Sequence, residues 1–181
     1  MLRSSPLRTR RPELVPATPG MLTAYLHDRA TLGRLFRADI PGAWPPALLD
    51  DDARREVLRM AEDGADPHFT CWYWILEEPA TGRRTLIGSG GTAPVPGDPC
   101  TAAIGYSVLE EYQGRGYATE AVAALVPVIF VFPGIARICA CTYPGMPASI
   151  RVLEKTGFAC AGTKDGGEGF EEGTLRYLLE R

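Results

Sequence analysis

The chain has 181 residues, 45% of them hydrophobic, which is enough for one well-buried domain and too few for two ordinary ones. A formal net charge of -3 gives no general attraction to nucleic acid, although 17 of the 19 basic residues are arginine. The longest apolar run, Ala121 to Phe132, is interrupted by Pro127 and falls short of the ~20 residues that a membrane-spanning helix needs.

The first twelve residues, MLRSSPLRTRRP, hold four arginines and no acid. No apolar stretch of ~7 to 15 residues follows, which excludes a secretory signal. Residues 1–12 read as a flexible tail, with an organellar leader as the alternative. Glu13 to Ala17 is a first strand. Thr18 followed by Pro19 is an N-cap with proline at the first helical position, and helical pattern runs on to Phe36. Leu22, Leu26, Ala30 and Leu35 mark its apolar side, and Gly33 is the expected break. In the loop DIPGAWPP, Trp44 reads as a core plug that anchors the chain, the alternative being part of an acceptor wall.

A further helix is expected over ARREVLRMAEDG, with Asp50 to Asp52 before it and Gly64 at its end. The β-forming stretch FTCWYWILE and the segment Arg84 to Thr92 make a hairpin about the turn Pro79 to Gly82. Cys100 to Leu109 is the next strand, Ala118 to about Phe132 a helix containing Pro127, and Arg137 to Thr142 another strand. Pro147 to Thr156 is a helix with Gly157 just past its end. Phe158 to Gly162 and Thr174 to Arg181 are the last strands, joined by the loop DGGEGFEEG. This order predicts one mixed α+β domain over 13–181, a mostly antiparallel twisted sheet of about six to seven strands with helices on both faces. The crossover through Ala118 to Phe132 makes the strands at 101–109 and 137–142 a parallel pair. The five cysteines are odd in number and lack metal spacing, so they read as reduced core residues of a cytoplasmic protein with no metal.

The run Tyr106 to Ala121, YSVLEEYQGRGYATEA, joins a strand to a helix through a glycine-punctuated turn. The first N–H groups of a helix have no intrahelical partner and lie at its positive end, where a phosphate settles. Gly114 and Gly116 allow positive φ and close approach of a ligand, and Arg115 adds a charge able to pair with phosphate oxygens. GxxxxGK[ST] is absent, and GxGxxG fails because Thr119 stands at its third glycine position.

Gln113, Gly116 and Ala118 fit the pattern Q/RxxGxG/A, and a second segment follows at Ala148 to Phe158, ASIRVLEKTGF. The chain thereby resembles the GNAT superfamily of N-acetyltransferases, in its RimJ/RimL-like branch. The resemblance implies acetyl-CoA as cosubstrate, held by Gln113, Gly114, Arg115, Gly116, Tyr117, Ala118 and Thr119 around its pyrophosphate. It also implies that the parallel strands splay to admit the pantetheine arm. The Val108 N–H matches the position that polarises the thioester carbonyl, unless it makes an ordinary ladder bond. Ser149 matches the partner of the departing thiolate, the alternative being a serine that caps its helix. Met146 stands where the family usually has asparagine, and Leu153 where many members carry a tyrosine acid.

The implied reaction is transfer of an acetyl group to a primary amine, on a peptide N-terminus or a small molecule, by direct attack in a ternary complex. An α-amino group with pKa ~8 costs only about 1.4 kcal/mol to deprotonate at pH 7, against roughly 4.6 for lysine at ~10.4. Glu111 and Glu77 are the candidate bases or water-relay partners, with surface solvation as their alternative role. Tyr106, Tyr143 and Tyr177 compete with them. Trp72 and Trp74, opposite Tyr73 on one strand, are offered as core or as acceptor wall. A non-catalytic acyl-CoA-binding sensor, or a transferase of longer acyl groups, is the competing function. Oligomeric state, homodimer included, is left open.

Overall fold

The computed structural model describes residues 5–46, 55, 58–59, 70–164 and 173–181. Strands β1 (Leu7–Arg8), β2 (Pro12–Pro16), β3 (Cys71–Glu77), β4 (Arg84–Val95), β5 (Asp98–Val108), β6 (Arg137–Thr142), β7 (Ala159–Lys164) and β8 (Thr174–Glu180) form one sheet. Its order is β1-β2-β3-β4-β5-β6-β8-β7. The pairs β1–β2, β2–β3, β3–β4, β6–β8 and β7–β8 are antiparallel, and β5–β6 is parallel. The described helices are α1 (Pro19–His27), α2 (Arg29–Phe36), α3 (Tyr117–Phe130) and α4 (Pro147–Lys155). The mixed α+β architecture is the expected one.

The expected count of six to seven strands is exceeded by β1, which lies inside the segment expected to be a flexible tail. Leu7 pairs with Leu14 and Arg8 with Glu13, so backbone hydrogen bonding orders a stretch that carries no apolar alternation. Of the helix expected over 53–64, only Arg55, Leu58 and Arg59 are among the described residues, and they are helical. The loop expected over 165–173 lies outside them except for Gly173, as does His68.

The chain forms two compact units: Met1–Gly91 with Tyr106–Ala121, and Thr92–Gly105 with Val122–Arg181. In the first, Thr18 caps α1 as expected, its hydroxyl accepting from the Met21 N–H at 3.2 Å. The helical stretch breaks at Asp28 and not at Gly33. Asp28 takes a non-helical φ of -151° and caps α2 by accepting from the Thr31 N–H at 3.0 Å, while Gly33 stays helical. The break resets the apolar stripe. Leu22, Ala24, Leu32 and Phe36 are buried, and Leu35, expected on the apolar side, is 46% exposed. Trp44 is a core plug: it packs with Phe36, Tyr73, Ile75, Leu86 and Leu109 in one buried cluster. Trp72, Tyr73 and Trp74 are all buried too.

On β4 the register shifts between Trp74, opposite Gly88, and Ile75, opposite Leu86, which leaves Ile87 as an extra residue. Gly88 is required here for close approach, because a Cβ would stand 2.7 Å from the Ser107 carbonyl oxygen and 3.0 Å from Trp74. This packs β4 tightly against the last residues of β5.

In the second unit, Leu125, Ile129, Ile138, Leu153, Phe158 and Tyr177 are buried. Helix α4 ends as its sequence indicates. Gly157 has φ 92°, its N–H bonds the Glu154 carbonyl at 3.2 Å, and the Phe158 N–H bonds the Leu153 carbonyl at 3.0 Å. These are the two bonds of a Schellman motif, with buried Leu153 and Phe158 as its apolar pair, so Leu153 serves packing. All five cysteines are free, but Cys100 and Cys160 are exposed, which corrects their expected place in the core. They sit on strand positions facing solvent, an orientation that composition does not report.

Candidate functional site

Strand β5 pairs with β6 at Thr101, Ala102 and Ala103 only, opposite Arg137, Ile138 and Cys139. Beyond Ala103 the strand continues to Val108 with no β6 partner in register. At its end the Leu109 N–H bonds the Ile87 carbonyl of β4 at 2.9 Å. Donors alternate sides along a strand, so the Val108 N–H is turned away from β4.

After β5 the chain makes a short 3-10 turn, Glu110–Tyr112. The Gln113 N–H closes this turn on the Glu110 carbonyl at 3.1 Å, and the Gln113 side-chain amide donates to the Val108 carbonyl at 2.9 Å. Gln113 is therefore a strut that ties the turn to the strand. Gly114 (φ 73°) and Gly116 (φ 82°) both occupy the left-handed region, which L side chains rarely adopt. Helix α3 follows at once. The first N–H of its ladder is that of Glu120, bonded to the Gly116 carbonyl at 3.1 Å, so the N–H groups of Tyr117, Ala118 and Thr119 precede the ladder. Arg115 is exposed, its guanidinium carbon 5.9 Å from the Tyr112 ring centroid.

This turn carries a brace that the sequence motifs do not show. The Glu120 carboxylate, in the first turn of α3, accepts from the Thr9 hydroxyl (2.7 Å), the Arg11 N–H (2.6 Å) and Arg11 Nε (2.8 Å). Arg11 Nη1 donates to the Arg115 carbonyl at 2.8 Å, and its guanidinium carbon lies 4.5 Å from the Tyr117 ring centroid. A Cβ on Gly116 would stand 3.3 Å from Arg11 Nη2. Burial raises the Glu120 carboxyl, but the hydrogen bonds from Thr9 and Arg11 more than offset it and hold it below its ordinary value near 4.5. These partners lie over a hundred residues apart, so no spacing rule finds them. The only trace in the sequence is the arginine-rich start.

Glu111 is exposed beside this turn, on the wall of an open cleft of about 600 Å³ also lined by Asp39, Arg83 and the half-buried Tyr112. Asp39 is paired there with Arg83 Nε at 2.7 Å, and that hydrogen bond raises the guanidinium further above its ordinary range. Glu77 stands apart, at the end of β3, where Arg84 bridges it at 3.4 Å and Glu13 at 2.6 Å. Ser149 belongs to the second unit. It is the third residue of α4, whose cap position is Met146, so it does not cap the helix. Met146 makes no side-chain cap bond, and Pro147 occupies the first helical position. Tyr177 is buried in the core of the second unit, and desolvation pushes its hydroxyl above 10.0. Among the described residues no group of His, Cys, Asp and Glu is arranged to hold a metal ion, and no helix is long and apolar enough to cross a membrane.

Comparison with known proteins agrees with this fold. A family model described as an acetyltransferase (GNAT) domain matches residues 14–159. The uncharacterized protein YkkB of Bacillus subtilis (strain 168) is 36% identical over 132 residues, which is 72% of this chain and 75% of that protein. The crystal structure of ribosomal-protein-S5-alanine acetyltransferase from Vibrio fischeri superposes with a TM-score of 0.64 at 16% identity, covering 97% of this chain and 96% of that one. Aminoglycoside acetyltransferase AAC(6')-Ib in complex with coenzyme A and kanamycin gives 0.60 at 21% identity, covering 93% and 94%.

Proposed function

The chain belongs to the GNAT acetyltransferase family, and on that premise we propose that it transfers an acetyl group from acetyl-CoA to a primary amine. The observation that carries this reading is the turn of residues 113–119. Two left-handed glycines deliver the chain into α3 with the N–H groups of Tyr117, Ala118 and Thr119 ahead of the ladder, a seat for a pyrophosphate. The side chain of Arg115 adds positive charge beside them.

The amine attacks the thioester carbonyl carbon, the carbon–sulfur bond breaks, and its electron pair leaves on sulfur. The Val108 N–H, turned away from β4 and without a β6 partner, polarises the carbonyl and holds the developing oxyanion. The Ser149 hydroxyl meets the thiolate. It lies inside the first turn of α4, with Met146 at the cap position. Of the two candidate bases, Glu111 takes the proton from the attacking nitrogen, directly or through water, because Glu77 is engaged with Arg84. Kanamycin bound to the aminoglycoside enzyme, and the protein alanine named for the Vibrio enzyme, are both amine acceptors. A peptide N-terminus or a small-molecule amine in the cytoplasm is the acceptor class we assign here.

Calorimetric titration with CoA, followed by thiol release from acetyl-CoA with N-terminal peptides and aminoglycosides as acceptors, tests the reading. Binding with turnover on one class supports it. Binding without thiol release on any acceptor points to an acyl-CoA sensor, and faster turnover of propionyl-CoA or succinyl-CoA to a longer-chain transferase. Absence of CoA binding removes the reading.

A further inference from the structure

Resting on the CoA reading of the turn, we propose that Arg11 is a positioning residue for the cosubstrate: with Glu120 it braces the pyrophosphate turn from outside and masks a carboxylate beside the phosphate seat. The turn needs such a brace. It cannot be stiffened by a side-chain cap, since the carbonyl opening the α3 ladder belongs to a glycine and the N–H groups after it must stay available. Arg11 holds it at three points. Nη1 grips the Arg115 carbonyl between the two glycines, Nε grips Glu120 one turn into the helix, and the guanidinium lies over Tyr117. Nη2 stands against Gly116, so the brace and the glycine occupy one small volume. The Arg11 side chain is 38% exposed and that of Glu120 18%, so the pair sits partly out of water, where geometry counts for more than for a free surface pair.

Glu120 explains why the brace is an arginine. A carboxylate in the first turn favours the helix but repels a bound pyrophosphate. The planar fork of Arg11 neutralises it and keeps a donor for the Arg115 carbonyl, which a lysine point charge does not do at once. Thr9 completes the set with a hydrogen bond to the same carboxylate.

The test measures CoA affinity by calorimetry and the affinity of pantetheine, which carries no phosphate, by ligand-observed NMR. Arg11→Ala is expected to weaken CoA about tenfold and leave pantetheine unchanged. Adding Glu120→Gln to Arg11→Ala is expected to recover part of the loss, because the unmasked charge is gone. Equal weakening of both ligands, or no recovery in the double variant, overturns the proposal in favour of general unfolding. If Arg11→Ala does not fold, Arg11→Lys carries the test, with a CoA Kd raised severalfold expected and an unchanged Kd overturning it. Failure of the unaltered protein to bind CoA removes the premise itself. Binding by the unaltered protein matched by both variants removes only the brace.

Discussion

Helices α1 and α2 begin on capping side chains, Thr18 and Asp28, whereas α3 and α4 begin without one. The capped pair bury a side of each helix in the aromatic cluster around Trp44 and Tyr73, and at their starts the cap itself answers the open N–H groups. At α3 the cap position is a glycine with φ 82°, and the turn is held by Arg11 and Gln113 instead. A helix start that is to receive a ligand must leave its N–H groups open, so the stabilisation a cap supplies has to come from the side. The largest expected effect follows from that. Gly116→Asp places an anion and a Cβ at a left-handed φ, 3.3 Å from Arg11 Nη2, and is expected to weaken CoA binding more than about a hundredfold by calorimetry. Unchanged affinity would mean that the α3 start is as purely structural as that of α1.

The reverse substitution of roles is tested at the capped start. Thr18→Ala leaves the Met21 N–H without its acceptor and is expected to cost about 1 kcal/mol in urea unfolding. CoA affinity should not follow. A parallel loss of CoA affinity would erase the distinction between the two kinds of helix start.

A smaller effect separates the brace from an ordinary surface pair. Glu120 has a folded value below its ordinary 4.5, so its contribution to stability is complete above that value and is lost as pH falls through the lower folded one. Asp28 and Asp98 are lowered as well, by hydrogen bonds from Thr31 and Thr101, so the acid limb of the unaltered protein belongs to several groups. The difference in Tm between the unaltered protein and Glu120→Gln isolates one of them. That gap is expected to be widest near neutral pH and to close on acidification below about 4.5. A gap that stays constant would show that the carboxylate charge has no part in holding Arg11.

At several positions one or two residues are enough for the chain to announce its structure. Thr18–Pro19, Gly157 and the glycines of the turn name their positions because a cap or a left-handed φ is a property of one or two residues. The parallel pair follows from a single helical crossover. Three features stayed hidden because none leaves a local period. Strand β1 is too short to alternate, although its partner β2 follows within a few residues, whereas the extra residue at Ile87 depends on the neighbouring strand β3 and the Arg11–Glu120 brace on groups over a hundred residues apart. The misplaced break at Gly33 has a local cause instead. Glycine weakens a helix in general, but Asp28 could cap the next one, and a positive gain outweighed a mild tolerance.

Met146 gives the finest test of the comparison, because α4 is uncapped for a different reason from α3. The Met146 thioether is only a weak acceptor and makes no cap bond, where the sequence resemblance expects asparagine, and Asn is among the best N-caps. Met146→Asn restores a possible acceptor for the N–H groups at the start of α4. Its backbone, with φ -112° and ψ 66°, departs from the extended cap geometry, so the gain in stability is expected to be only about 0.5 kcal/mol. The measurement that matters is made alongside it, the Kd for CoA. A gain in stability with unchanged Kd assigns the lost hydrogen bond to the fold and places α4 with α1 and α2 as a helix start that serves structure. A tighter Kd with unchanged stability assigns it to the cosubstrate, and makes the start of α4 a second place where an open helix end waits for a ligand.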